Sequence, residues 1–386
     1  MDFDVLIVGA GLAGASLACA LAGSRLSVGV LEHKAPRRAE GWDARVYALS
    51  PANVDFLTEL RAWTHLDASR INRIERMAVF GDAGGELEFS AWDSGLDALA
   101  WICESSPLAV ELWETLRRQP NINVICPARA ASLNITPEHA ELSLEDGRRI
   151  RAKLVVAADG ADSWVRREAG LEVKTTPYGE LGVVANFECE RPHRNTAFQW
   201  FLEDGILAWL PLPGERMSMV WSAPEAHART LLELTPEALC ETVAAAGGHR
   251  LGALRALTPA AGFPLRLMQV PQIVAPRLAL IGDAAHAIHP LSGHGINLGF
   301  QDAQVLARQL RELPAHRDCG ELAVLRPYAR TRAEEVRLMQ AATHGLNRLF
   351  RPRNPFVAAL RNAGMNLTAR LPVARSALIR YAAGLS

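Results

Sequence analysis

No two cysteines in this chain are spaced as a metal clip or a disulfide framework. The six (Cys19, Cys103, Cys126, Cys189, Cys240 and Cys319) stand far apart and form no C-x-x-C. Neither a metal site nor a stapled scaffold is indicated, and a reducing cytoplasm is the expected compartment. Charge of one sign is not in excess either: the formal net charge is −1, which argues against whole-protein attraction to nucleic acid. Low-complexity tracts are absent, and 49% hydrophobic with 22% charged residues excludes a disordered or fibrous chain. At 386 residues the chain exceeds one usual domain, so two lobes around a shared crevice are expected.

Long apolar runs are scarce as well. Residues 5–24 form a charge-free run of 20, long enough by itself for a membrane span or a signal peptide. Asp2 and Asp4 precede it where a signal would carry basic residues, and Gly9, Gly11 and Gly14 interrupt it. A better reading is strand, glycine turn, helix: Val5-Leu6-Ile7-Val8 ends at Gly9, and residues 13–22 are rich in Ala and Leu. A second apolar run at 28–31 completes a βαβ unit over residues 4–32, with parallel strands and a right-handed crossover.

Each part of Gly9-x-Gly11-x-x-Gly14 has a mechanical use. Gly9 permits the tight turn, Gly11 lets backbone approach a pyrophosphate, and Gly14 lets helix and strand pack closely. The helix N-terminus favours the anion. Glu32 ends the second strand and would bond a ribose hydroxyl, disfavouring a 2′-phosphate there by like-charge repulsion.

A second motif, Ala158-Asp159-Gly160-x-x-Ser163-x-x-Arg166, follows an apolar strand at 154–157; alone it would read as a turn. A third begins Gly282-Asp283-Ala284-Ala285-His286 after a strand at 278–281. It continues through His289, Pro290, Gly293, His294 and Gly295 to Asn297 at a helix start. Two glycines and an asparagine there suggest backbone pressed against a flat or anionic ligand. Strand patterns at 76–80, 181–190, 196–202, 207–210 and 216–222 indicate a mostly antiparallel second lobe. Beyond residue 302 the chain reads as helices, broken near Pro314, Pro327, Pro352, Pro355 and Pro372.

These three motifs, in this order, resemble the single-component FAD aromatic hydroxylases over nearly the whole chain. Two stretches are similar to the ubiquinone-biosynthesis ring hydroxylases: His193-x-x-Thr196-Ala197-x-Gln199-x-Phe201 running on to Leu210-Pro211-Leu212, and Leu360-Arg361-Asn362-x-Gly364-Met365. The resemblance implies an α/β fold with a discontinuous Rossmann-like FAD-binding lobe (residues 1–75, 100–175 and 265–335). It further implies a mostly antiparallel β substrate lobe (76–99 and 176–264) and a C-terminal basic helical segment (336–386).

By the same resemblance, Gly9, Gly11, Gly14 and Glu32 hold the ADP half of FAD, and Asp283 bonds the ribityl chain. Arg45, in Asp43-Ala44-Arg45-x-x-Ala48-Leu49-Ser50, lies near the pyrophosphate; Asp159 is linked to the pyrophosphate and to nicotinamide-cofactor use. Pro290, Gly293, Gly295 and Asn297 belong to the loop lining the isoalloxazine. The implied reaction is insertion of oxygen from O2 into the ring of a prenylated phenol through a flavin C4a-hydroperoxide, with NAD(P)H as reductant. His294 is the candidate acid–base residue. It stands where the subfamily has glutamine, and residues 104–109 lack the asparagine and glutamine of the helix beside the flavin. Flavin reductase or halogenase chemistry remains as an alternative, although the halogenase Trp-x-Trp-x-Ile-Pro motif is missing. So does a non-catalytic scaffold in a quinone-synthesis complex.

Residues 336–386 hold eight arginines and neither an acidic residue nor a lysine, so the remainder carries −9 (−1 less +8). Leu349, Phe350, Phe356 and Leu360 interleave with those arginines, giving a basic and apolar segment. Such a segment can rest on an anionic bilayer at about 1 kcal/mol per charge, or pack its apolar residues on the protein's own core. The expected location is cytoplasmic and peripheral on the inner membrane.

Overall fold

The computed structural model describes residues 2–82, 84–288 and 295–350, with side chains described as far as 345. Pro290, Gly293, His294 and the basic segment past 350 therefore lie outside the described residues.

The first sheet grows outward from β1 (Phe3–Val8), where Val5, Leu6 and Ile7 are wholly buried. Parallel neighbours flank it, β2 (Val28–Leu31) and β11 (Arg149–Ala157). The sheet continues past β2 to β8 (Ile122–Ile125), and past β11 to β19 (Leu278–Leu280) and β18 (Val274–Ala275). A hairpin of β9 (Ala130–Ile135) and β10 (Ala140–Leu144) extends from β11. Strands buried on both faces need helices on both faces. Helix α1 (Leu12–Ala20) supplies one cover and packs against α3 (Ser105–Arg117) and α7 (Gly295–Glu312). A short α4 (Trp164–Glu168) follows β11.

The second sheet is built on β12 (Lys174–Cys189), which pairs antiparallel with β15 (Arg216–Pro224), β16 (Leu254–Ala256) and β17 (Ala261–Gln269). It runs on through β14 (Gly205–Leu212) and β13 (Thr196–Leu202) to β5 (Arg76–Phe80), which lies parallel to β13, and then β6 (Glu86–Ser90). At the other edge β20 (His286–Ala287) pairs with β17, stitching the third motif directly to this sheet. Strand β12 starts earlier than its apolar pattern because residues 174–177 are exposed and polar or small, carrying no alternation.

Alternation assigns the faces. Val183, Ala185, Phe187 and Cys189 of β12 pack with Trp209, Met219 and Trp221 beneath α5 (Glu225–Glu233) and α6 (Pro236–Ala246). The intervening Val184 and Asn186 turn to the opposite face, toward the first lobe. Between the lobes lies a small sheet of β3 (Val46–Leu49), β7 (Ala100–Glu104) and β4 (Asn72–Ile74), followed in chain order from β3 by α2 (Pro51–Glu59).

The final helix, α8 (Leu322–Phe350), corrects one expectation: Pro327 does not break it. The proline costs one backbone hydrogen bond near the helix start, and the wholly buried Leu325 and Tyr328 on either side outweigh that loss. Among the described residues no helix is long and apolar enough to cross a membrane.

Candidate cofactor site

The three motifs meet at the carboxyl ends of β1, β11 and β19. Gly9 has φ +98°, and a Cβ there would lie 2.5 Å from the Ala158 carbonyl oxygen and 2.9 Å from Asp159 Cα. Only glycine allows the first and second motifs to touch in this way. A Cβ on Gly14 would lie 2.0 Å from the Gly9 carbonyl oxygen, so α1 can approach β1 only without one. Gly11 differs: nothing lies within 4 Å of its Cβ position. It is the N-cap of α1, without a side-chain cap and without an acidic residue in the first turn, so the helix presents its positive end to open space. Glu32 is anchored by backbone donors: Oε2 accepts from Ala10 N at 2.7 Å, and Oε1 from His33 N at 2.9 Å and Lys34 N at 3.1 Å.

The second motif is braced against the third. Ser163 caps α4 by accepting from Arg166 N at 3.0 Å. The buried Arg166 guanidinium donates to the carbonyls of Ala161 and Ala284, both at 2.8 Å. Burial pushes the Arg166 pKa down, and the Asp159 carboxylate opposes that shift. Asp159 accepts from Val165 N at 3.0 Å through Oδ2, while its buried Oδ1 has no hydrogen-bond partner among the described residues.

In the third motif the turn Gly282–Ala284 leaves Asp283 exposed. Gly282 has φ +57°, and its Cβ position is 3.1 Å from Ala13 Cβ; that of Gly299 on α7 is 3.4 Å from the same atom. Small residues thus let α1, the turn and α7 abut. Asn297 closes the seam on the other side, donating to Ala48 O at 2.8 Å and accepting from Ser50 N and Asn53 Nδ2, each at 2.9 Å. Its side chain is engaged with the β3–α2 junction, tying the start of α7 to that junction. Gly295, at the start of α7, has nothing within 4 Å of its Cβ position.

Arg45 is exposed, with its guanidinium 5.4 Å from the Tyr47 ring centre. Burial raises the Tyr47 pKa, against the pull of Arg45 and of a hydrogen bond with Ser105; Asp283 adds to the rise. Arg45, Tyr47, Ser105 and Asp283 therefore gather at one place. The loop leading to Arg45 is held from α3 and β7: Asp43 Oδ2 accepts from Ser106 N at 2.9 Å, and Glu104 accepts from Asp43 N and from Arg70 Nε, both at 2.6 Å.

Sequence reasoning missed a buried polar group behind the turn. Asp302 on α7, wholly buried, accepts from Gly282 N at 2.8 Å, His286 Nε2 at 2.7 Å and Arg332 Nε at 2.6 Å. Burial alone would raise the Asp302 pKa, but His286 and Arg332 outweigh it and hold the carboxyl below its ordinary value. The available signal was the spacing Asn297-x-Gly299-x-x-Asp302, which puts three buried small or polar residues on an amphipathic helix. Nothing in the sequence separates the buried Arg332 from its exposed neighbours Arg326, Arg330 and Arg337.

The donor set fits a dinucleotide flavin. An open helix N-terminus at Gly11, an acceptor at the end of β2, the Asp159 Oδ1 without a partner among the described residues, and the exposed Asp283 and Arg45 line one side of the first sheet. That placement, outside the carboxyl ends of parallel strands, is where such folds take nucleotides. Fold and site together define a flavin-binding oxidoreductase with a β-sheet second lobe. The chain belongs to the FAD binding domain family, which matches residues 2–342.

Full-length relatives agree. The chain is 35% identical to the ubiquinone hydroxylase UbiL of Rhodospirillum rubrum, over 99% of this chain and 89% of that protein. It is 33% identical to the 3-demethoxyubiquinol 3-hydroxylase of Escherichia coli, over 99% and 98%. In structure it is similar to the p-nitrophenol 4-monooxygenase PnpA of Pseudomonas putida, with TM-score 0.79 at 20% identity, covering 97% of this chain and 96% of that one.

Proposed function

We propose that this chain is an FAD-dependent monooxygenase that hydroxylates the aromatic ring of a prenylated phenol in ubiquinone biosynthesis, consuming NAD(P)H and O2. The observation that carries this reading is that the described parts of the three glycine motifs abut at one end of the first sheet, in a chain similar to ring hydroxylases over 99% of its length. Bound FAD would supply what side chains cannot: a redox centre that activates dioxygen for attack on an electron-rich ring.

The protein's part is binding, orientation and exclusion of water. Gly9, Gly11 and Gly14 with the α1 N-terminus take the pyrophosphate, and Glu32 takes the adenosine ribose. Asp283 holds the ribityl chain, Arg45 lies near the phosphates and offsets their charge, and Asp159 is linked to the pyrophosphate region and to nicotinamide-cofactor use. Pro290, Gly293 and Gly295 line the isoalloxazine, with Asn297 fixing the helix behind them, and His294 is the candidate proton-transfer residue. The substrate ring lies against the first-lobe face of the second sheet, where the register sets Val184 beside Val220 and Val220 beside Ala208. That row is small and apolar, which suits an aromatic ring and a prenyl chain.

A prenyl chain also favours contact with a membrane surface. The exposed Arg326, Arg330 and Arg337 of α8 continue the basic character of residues 336–386, and a peripheral place beside an anionic bilayer follows. A quinone-synthesis protein complex is a further partner consistent with that position.

The test is the visible spectrum of FAD-supplemented protein, followed by oxygen uptake with NAD(P)H and a short-chain prenylphenol. Bound flavin with phenol-stimulated oxygen uptake is expected. Flavin with substrate reduction and no oxygen use would indicate a reductase, and colourless protein would indicate a scaffold.

A further inference from the structure

Asp302 is a wholly buried carboxylate that grips both ends of the turn from Gly282 to His286. It bonds the Gly282 N–H at 2.8 Å and the His286 ring at 2.7 Å through the same oxygen, Oδ2. Between those anchors stands the exposed Asp283. The other oxygen, Oδ1, receives Arg332 Nε at 2.6 Å from α8. Every guanidinium nitrogen of Arg332 is engaged, for it also reaches Leu298 O at 3.4 Å and Gln301 Oε1 at 3.2 Å and pairs with Glu335.

One turn earlier on α8, Tyr328 donates to Leu280 O at 2.8 Å, in the strand that feeds the turn. On the far side, a Cβ at Gly282 would lie 3.1 Å from Ala13 Cβ, so the turn sits close to α1 only because residue 282 is glycine. The turn is thus tied to Asp302 at both ends, which restricts where the backbone can set Asp283. The Arg332–Asp302 contact is a charge-assisted hydrogen bond through Nε, stronger than a neutral one.

We propose that Asp302 and Arg332 are a positioning pair that fixes the turn presenting Asp283 to FAD, making α8 an integral part of the cofactor site. This rests on the flavoprotein reading given above. Neither residue touches the cofactor on this view; both act through the Gly282 amide and the His286 ring.

Two double variants separate positioning from plain packing. Asp302→Leu with Arg332→Met removes both charges and also the acceptor for Gly282. Asp302→Asn with Arg332→Met removes the charges but keeps a neutral oxygen. FAD dissociation constants come from flavin fluorescence titration, and apoprotein melting temperatures from calorimetry. The leucine variant is expected to bind FAD about tenfold or more weakly, the scale on which outer hydrogen-bond partners govern a ligand site. The asparagine variant is expected to recover part of that loss, because Gly282 keeps an acceptor while the tie to α8 through Arg332 stays broken.

Equal FAD affinity in the two double variants overturns the proposal. If the leucine variant does not fold, Arg332→Lys carries the test, because it keeps the charge and loses the planar fork. Faster amide exchange over residues 282–286 with weaker FAD binding supports the proposal; no change in either overturns it. Wild-type protein that fails to bind FAD refutes the flavoprotein reading itself, an outcome distinct from normal wild-type binding with insensitive variants.

Discussion

The guanidinium of Arg166 reaches the carbonyl oxygen of Ala284 at 2.8 Å, joining residues 118 positions apart in sequence. Its other bond, to Ala161 O, holds the loop after β11, so one side chain braces the second glycine motif against the third. Methionine at this position would leave two carbonyls without their donors. Each such loss costs about 1–3 kcal/mol. Arg166→Met is therefore expected to lower unfolding free energy by about 2–6 kcal/mol in a denaturant titration and to weaken FAD binding. Wild-type values for both would show that the brace is dispensable.

Gly11 and Gly14 give opposite predictions from the same substitution. Gly14→Ala places a Cβ 2.0 Å from the Gly9 carbonyl, so α1 must move off β1; a loss of more than about 3 kcal/mol is expected. Gly11→Ala meets no protein atom within 4 Å. It should cost no more than the usual capping penalty of about 1 kcal/mol while sharply weakening FAD binding. Thermal melts of both apoproteins, with FAD titrations of the variants that fold, check the contrast. A Gly11→Ala protein that binds FAD normally would contradict the placement of the pyrophosphate.

His193 makes a pH prediction. Its Nε2 lies 2.8 Å from Leu212 O and its Nδ1 accepts from Asn195 N at 3.1 Å, an arrangement that suits the neutral ring with its proton on Nε2. Burial pushes its pKa down, against the opposing pull of the Leu212 and Gly214 carbonyls. A folded pKa below the unfolded one means that protonation favours unfolding. The contribution is complete above the unfolded value of about 6.5 and is lost as pH falls through the folded value. Unfolding free energy measured against pH should decline below about 6.5, and His193→Gln should flatten that limb. An unchanged slope in the variant would assign the decline to other groups.

Much of the first lobe was legible in sequence because its signals are local. The run Val5-Leu6-Ile7-Val8, the glycines behind it and Glu32 fix β1, α1 and β2, and the helix falls within two residues of its expected bounds. The small sheet of β3, β7 and β4 left no such trace, since strands of three to five residues are too short to display a period. Phe198-Gln199-Trp200-Phe201 hid its faces because Gln199 and Phe201 are buried on the side opposite Trp200. Charged residues were the hardest to read. Glu104, Asp302 and Arg332 look like surface residues until the partners that satisfy them, from distant parts of the chain, are known.

Asn297→Ala tests the seam between α7 and the β3–α2 junction. At least three hydrogen bonds are lost, leaving the buried Ser50 amide and the half-buried Ala48 carbonyl without the Asn297 side chain. A loss of about 2–4 kcal/mol is expected in denaturant unfolding, with weaker FAD binding. Stability within about 0.5 kcal/mol of wild type would mean that the seam is held elsewhere.

The central claim is insertion of oxygen from O2 into a phenolic ring. Its most direct test is incubation of the FAD-loaded protein with NAD(P)H, a short-chain prenylphenol and heavy-isotope dioxygen, with mass analysis of the organic product. A product carrying the heavy isotope in a new ring hydroxyl is the predicted result. A reduced or unchanged substrate without isotope, while NAD(P)H is consumed, would contradict it.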